Sequence, residues 1–167
     1  MHKLNVGCGL NILPDFINLD IEERLGVDVV WNLNKTPLPF KNNHFDFILA
    51  DNIIEHLDDT VKIMKELHRI LKKNGKLIII VPYYKHHSSW EDPTHQRCFT
   101  ENTFKYFANN LIDKYSQNPI DKICMFTYGE IKYGLSSIGD MFGYNISKYM
   151  RYVSELFITN LKIKLIK

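Results

Sequence analysis

The sequence is poor in the features that usually fix a protein's class. Cysteine occurs only as Cys8, Cys98 and Cys124, with no CxxC pair and no disulfide-like spacing. This excludes a disulfide framework and fits reduced thiols in a cytoplasmic protein. No apolar run approaches the ~20 residues that cross a bilayer as a helix, so no transmembrane segment is expected. The N-terminus shows no charged-then-apolar leader. There is no internal repeat and no low-complexity linker. A net charge of +2 leaves no global basic field, so no nucleic-acid partner is expected. The charge is uneven, however: Met141 to Lys167 holds Lys148, Arg151, Lys162, Lys164 and Lys167 against Glu155 alone. The plain reading of that tail is a solvated face; the sharper one is contact with a phosphate-bearing or membrane surface.

What is present is organised around Lys3-Leu4-Asn5-Val6-Gly7-Cys8-Gly9, read together with Asp20. Leu4 and Val6 alternate as in a short buried strand, and two glycines one residue apart follow at once. Glycine there permits a tight turn and lets a ligand approach without a Cβ in the way. A second apolar run, Phe16 to Leu19, ends in Asp20. A strand closing on a carboxylate beside a Gly-rich turn is how doubly wound folds hold the hydroxyls of a ribose. Leu10 to Asp15 is too short for a full crossover helix, which usually takes a dozen residues or more with its connections.

Further strands are expected over Val27 to Trp31 and Phe45 to Ala50, the second with Asp51-Asn52 at its carboxyl end, where ligands gather in open α/β sheets. Asp58 or Asp59 can cap a helix through Leu71. Thr60, Ile63, Met64, Leu67, Ile70 and Leu71 form its apolar stripe, and Asn74-Gly75 is expected to stop it with the glycine left-handed. Leu77 to Val81 is continuously apolar, which implies a central parallel strand buried on both faces. Tyr83 to Phe99 is a polar, aromatic, histidine-rich loop. Thr100 is expected to cap a helix to about Asn109, and Lys122 to Tyr128 to form a strand. Ile146, Tyr149, Met150, Val153 and Phe157 make a helical stripe. Leu161, Ile163 and Leu165 alternate with Lys162 and Lys164 as in an edge strand. The order implies a Rossmann-like, doubly wound α/β sheet with a late antiparallel strand.

Together, "NVGCG", the acidic end of the second strand, "PLPFKNNHFDFILADNIIEHL", "MKELHRILKKNGKLIIIVP" and "DPTHQRCFTENTF" resemble the class I S-adenosylmethionine-dependent methyltransferases, in particular a small type-11-like subfamily. The resemblance implies a single domain of seven strands with the last antiparallel between the fifth and sixth, and a shortened first crossover helix. Residues 1–82 would form the cofactor-binding half and 83–167 the substrate side. It sets Gly7, Cys8 and Gly9 against the methionine part of S-adenosylmethionine, Asp20 on the ribose, and Asn32 and Leu33 at the adenine. Asp51 and Asn52 fall near the cofactor amine, and His56 lines the pocket. Many members carry Asp where this chain has Asn5, and a third Gly where it has Asn11.

Methyl transfer is an in-line displacement, so holding the acceptor close and aligned is the main task. A hydroxyl acceptor also benefits from a base. His95 is the candidate, since histidine titrates near neutral pH; hydrogen bonding to loop backbone is its alternative. Tyr84, His86, Asp92 and Arg97 are candidate acceptor contacts, with Trp90 and Tyr83 as possible walls. Arg97 can also pair with Glu91 or Asp92. The density of His86, His87, Glu91, Asp92 and His95 admits a metal site, but a solvated loop folding over substrate is the commoner explanation, and no metal is expected. The reading that results is a methyltransferase for a small-molecule or glycan-type acceptor. A non-catalytic cofactor- or partner-binding module of the same fold is the alternative. A dehydrogenase is disfavoured because Gly9 and Asp20 are closer than the ~20-residue interval of the dinucleotide fingerprint. The missing helix also leaves part of one sheet face to be covered by a neighbouring segment or by a second copy of the chain.

Overall fold

A computed structural model describes residues 1–108, 126–135 and 158–167. Its centre is a seven-stranded sheet. The strands are β1 (Lys3–Val6), β2 (Ile17–Asp20), β3 (Val29–Val30), β4 (Phe45–Asp51), β5 (Leu71–Pro82), β6 (Thr127–Leu135) and β7 (Ile158–Ile166), in the order β3-β2-β1-β4-β5-β7-β6. The first five are mutually parallel, and β7 runs antiparallel to both β5 and β6. The expected sheet is therefore present, with one correction. The Leu161, Ile163, Leu165 alternation suggested an edge, but β7 is interior and β6 is the edge. The three apolar side chains are fully buried while Lys162 is exposed. Alternation reports one covered face and is silent on whether both backbone edges are paired.

The register explains which face is core. Leu4, Ile48, Leu77 and Leu165 stand in one row, and Val6, Ala50, Ile79 and Ile163 in the next. All eight are buried and join one cluster with Phe45, Phe99, Phe104 and Phe126. Helix α1 (Thr60–Ile70) adds Ile63, Met64, Leu67 and Ile70 to that cluster. Asp59 caps it by accepting the Lys62 N–H at 2.9 Å. The helix ends at Ile70, one residue before the expected Leu71, because Leu71 turns extended (ψ 136°) and pairs with Phe45. The left-handed residue of the following turn is Asn74 (φ 63°), not Gly75.

On the opposite face the rows read Asn5, Leu49, Ile78, Lys164 and Asp51, Ile80, Lys162. Ile78 and Ile80 are half-buried, which corrects the expectation of full burial on both sides of β5. No helix joins β1 to β2. The connecting loop instead closes over this face by side-chain amides. Asn5 Nδ2 donates to Asn11 O (2.9 Å) and to Asn18 Oδ1 (3.1 Å), and Asn18 Oδ1 also accepts the Leu13 N–H (3.0 Å). Leu10 in this loop and Leu25 in the β2–β3 connection project into solvent.

The helix expected from Thr100 is a short 3₁₀ turn, Thr103–Phe107, which buries Phe104 and Phe107. Strand β3 is shorter than expected. A four-residue helix, α2 (Ser88–Glu91), lies within the histidine-rich loop. The helix expected over 146–157, the strand expected from Lys122 as far as residue 125, and Cys124 lie outside the described residues. Among the described residues no helix is long and apolar enough to cross a membrane.

Candidate functional site

Strands β1, β2 and β4 are parallel, so their carboxyl ends share one edge, and the candidate residues stand there. Gly7 (φ 64°) and Gly9 (φ 51°) are both left-handed, but their surroundings differ. A Cβ on Gly7 would sit 2.3 Å from Ile53 Cγ1, whereas one on Gly9 would meet nothing within 4 Å. The vacancy at Gly7 is thus used by Ile53, and only that at Gly9 is open to a ligand. Beside it, Asp20 Oδ2 accepts the Gly9 N–H at 2.7 Å and Oδ1 accepts the Glu22 N–H at 3.1 Å. Each carboxylate oxygen keeps a further acceptor site. The Asp20 side chain therefore shapes the glycine turn and remains able to take hydroxyl donors.

Cys8 is buried between these groups, and its N–H donates to Leu19 O at 3.0 Å. Burial, with Asp20 nearby, pushes its thiol above the usual range; it packs and does not offer a thiolate. Asp51 is half-buried at the end of β4, and burial raises its pKa against the pull of Lys162. Asn52, left-handed at φ 48°, donates its side-chain amide to Asp51 Oδ1 at 2.9 Å. Asn32 Oδ1 accepts the Asn34 N–H at 2.9 Å. Leu33 is buried in the core, so it can offer a ligand only backbone.

His56 belongs to a different group. A 3₁₀ turn, Ile54–His56, follows β4, and the Gln96 N–H donates to Glu55 O at 2.8 Å, drawing the 92–97 loop onto it. This brings His95 beside His56, ring centroids 4.7 Å apart. One ligand atom from each of Glu55, His56 and His95 lies within 4.8 Å of the others. Glu55 is 1% exposed, and neither carboxylate oxygen has a hydrogen-bond partner. Burial pushes its pKa up to about 7.

The histidine tautomers follow from their partners. Asp92 Oδ1 can only accept, and it takes the Thr94 hydroxyl at 2.7 Å. Thr94 Oγ1 must then accept from His56 Nδ1, 2.8 Å away. His95 Nδ1 likewise donates to the Ser89 carbonyl at 3.2 Å. Both rings therefore carry their free lone pair on Nε2. Burial lowers the His56 pKa, with His95 adding to it, which keeps that ring neutral. Asp92 is held low by its Thr94 hydrogen bonds.

The remaining candidates stand apart from this cluster. His86 Nδ1 pairs with Ser88 Oγ at 2.7 Å, and His87 pairs with Glu91 at 2.8 Å. Arg97 donates to Asp58 O at 3.1 Å. Tyr84 is half-buried with its carbonyl accepting from Trp90 Nε1 at 2.7 Å, while Tyr83 is core. Sequence reasoning passed over Glu55 because a carboxylate reads as exposed. The available signal was its place within "EHL", directly after a strand whose carboxyl end faces the site.

A methyltransferase-domain family model matches residues 9–79. An uncharacterized protein of Methanocaldococcus jannaschii is 36% identical over 89 residues, 47% of this chain and 39% of that protein. The chain thus spans well under half the length of that relative. A S-adenosylmethionine-dependent methyltransferase from Archaeoglobus fulgidus superposes with a TM-score of 0.70 at 18% identity, covering 99% of this chain and 86% of the other. One from Mesorhizobium loti superposes with a TM-score of 0.63 at 11% identity, covering 99% and 90%. The matched segment is thus similar in sequence to a methyltransferase domain, and the chain shares the fold of the S-adenosylmethionine-dependent methyltransferases.

Proposed function

We propose that the chain is an S-adenosylmethionine-dependent methyltransferase acting on a hydroxyl of a small-molecule or glycan-type acceptor. The observation that carries this reading is the Asp20 carboxylate hydrogen-bonded to the Gly9 N–H, with open space where a Gly9 side chain would be. A nucleoside can lie against that turn with its ribose hydroxyls on Asp20. When bound, the cofactor supplies an electrophilic methyl on a sulfonium, already a good leaving group.

The chain's own residues would do the rest. The Gly9 turn would hold the methionine part, Asp51 and Asn52 its amine, and the backbone at Asn32 and Leu33 the adenine. On the acceptor side, Nε2 of His95 takes the hydroxyl proton while the new O–CH3 bond forms and the C–S bond breaks. Ser89 O fixes the tautomer this requires. Tyr84, His86, Asp92 and Arg97 would contact the acceptor as it meets His95.

Calorimetry with S-adenosylmethionine tests the reading directly. Saturable binding that Asp20→Ala abolishes supports it; binding of NAD in its place would overturn it. In a methyl-release assay, His95→Ala should lower turnover about a hundredfold or more while leaving cofactor affinity nearly unchanged. Equal loss of both would remove His95 from the role of base.

A further inference from the structure

We propose that Glu55, His56 and His95 form a binding site for one divalent transition-metal cation, of the borderline class that includes zinc, cobalt and nickel. Two imidazoles and one carboxylate suit such ions better than magnesium or calcium, which prefer all-oxygen sets. Three independent features of the fold point the same way.

First, the donors already stand together. Their ligand atoms lie within 4.8 Å of one another. A tetrahedral ion about 2.1 Å from each donor separates them by roughly 3.4 Å, so they need draw in by little more than about 1 Å. Second, both histidines are prepared as ligands. Each donates through Nδ1 to a fixed acceptor, Thr94 Oγ1 for His56 and Ser89 O for His95, which leaves the free lone pair on Nε2. This outer layer of hydrogen bonds is characteristic of metal-bound histidine. Asp92 stands behind His56 through Thr94, while its Oδ2 lies 3.9 Å from His95 Nε2, on the side of the donors. Third, Glu55 is buried with both carboxylate oxygens unpartnered. A buried carboxylate without hydrogen bonds is costly, and a cation among the three donors would satisfy it.

The binding site stands on this geometry alone; its use in catalysis rests on the methyltransferase reading. With the ion in place the His95 lone pair is committed to coordination. An acceptor hydroxyl in an open coordination position would lose its proton more readily, the proton passing by way of the exposed Asp92 to solvent as the O–CH3 bond forms and the C–S bond breaks. In the ion-free protein the same lone pair is the base.

The test is a titration of the chelator-stripped full chain with Co2+, followed by calorimetry and by visible absorption. One equivalent should bind and give ligand-field bands. His56→Ala and Glu55→Gln should each weaken binding about a hundredfold or more. Thr94→Val, which removes the hydrogen bond behind His56 together with the one that ties it to Asp92, should weaken it about tenfold. His87→Ala, an exposed histidine paired with Glu91, should change nothing. No saturable binding overturns the proposal, as does binding that His87→Ala abolishes and the two ligand variants keep. Parallel titration of the metal-free chain with S-adenosylmethionine separates the readings. Loss of cobalt binding alone removes the metal site, and loss of cofactor binding alone removes the methyltransferase assignment.

Discussion

Gly7 and Gly9 have the same backbone conformation and opposite neighbourhoods, and substitution should separate them. Alanine at either position must hold a left-handed φ, at about 1–2 kcal/mol. At Gly7 the new methyl also runs into Ile53, so Gly7→Ala should destabilise by several kcal/mol in urea unfolding. Ile53→Ala added to it should recover part of the loss, a coupling visible in a double-mutant cycle. Gly9→Ala meets no neighbour; it should lose stability only by the backbone strain but lose most S-adenosylmethionine binding. Glu55 offers a second test at this scale. Its pKa stands at about 7 in the fold against 4.5 for the free group. Between those values the native state binds more protons than the unfolded one, so stability falls as pH rises through the window. The whole effect is on the order of 3 kcal/mol, complete above the folded pKa. Glu55→Gln in chelator-treated protein should remove most of that slope between about pH 4.5 and 7. A slope that persists unchanged would assign it to other groups.

The element that most distinguishes this chain is the loop that stands where a first crossover helix is usual. Asn5 and Asn11 are parts of one device: Asn5 donates to the carbonyl of Asn11 and to Asn18. An aspartate at position 5 would offer only acceptors to those acceptors, in a site 1% exposed. Asn5→Asp should therefore cost at least about 2 kcal/mol, seen as a lowered urea midpoint with an unchanged m-value. Had the loop been free to rearrange, the variant would unfold like the parent. Much at this scale was legible in advance. Leu77 to Val81, the α1 stripe with its Asp59 cap, and the short β1–β2 connection all follow from local pattern. Others did not, for physical reasons. The interior place of β7 depends on a partner strand remote in sequence, and the start of β5 at Leu71 on that residue finding Phe45. The place of Glu55 was equally hidden, since only the tertiary fold buries it. The glycine turn and Asp20 were visible as a motif; that Ile53 fills one of the two vacancies was not.

At the scale of the whole molecule, the site draws on three strand ends that the sheet holds side by side. The Asp20–Gly9 hydrogen bond links β2 to the turn after β1, and Ile53 against Gly7 links that turn to the end of β4. A ligand lying across them would bind only when all three are in register, so its binding energy becomes folding energy. At a concentration about a hundred times Kd the gain is about 2.7 kcal/mol, which for a chain of this size is a rise in Tm of roughly 5–10 °C. S-adenosylmethionine or its demethylated product should produce such a rise, and NAD should not. Asp20→Asn keeps an acceptor for the Gly9 N–H but removes the charge, so it should retain the ligand-free Tm within a few degrees and lose most of the shift. A variant that melts early yet keeps the full ligand shift would show that Asp20 serves the turn and not the nucleoside, and the ribose would have to be held elsewhere on this edge.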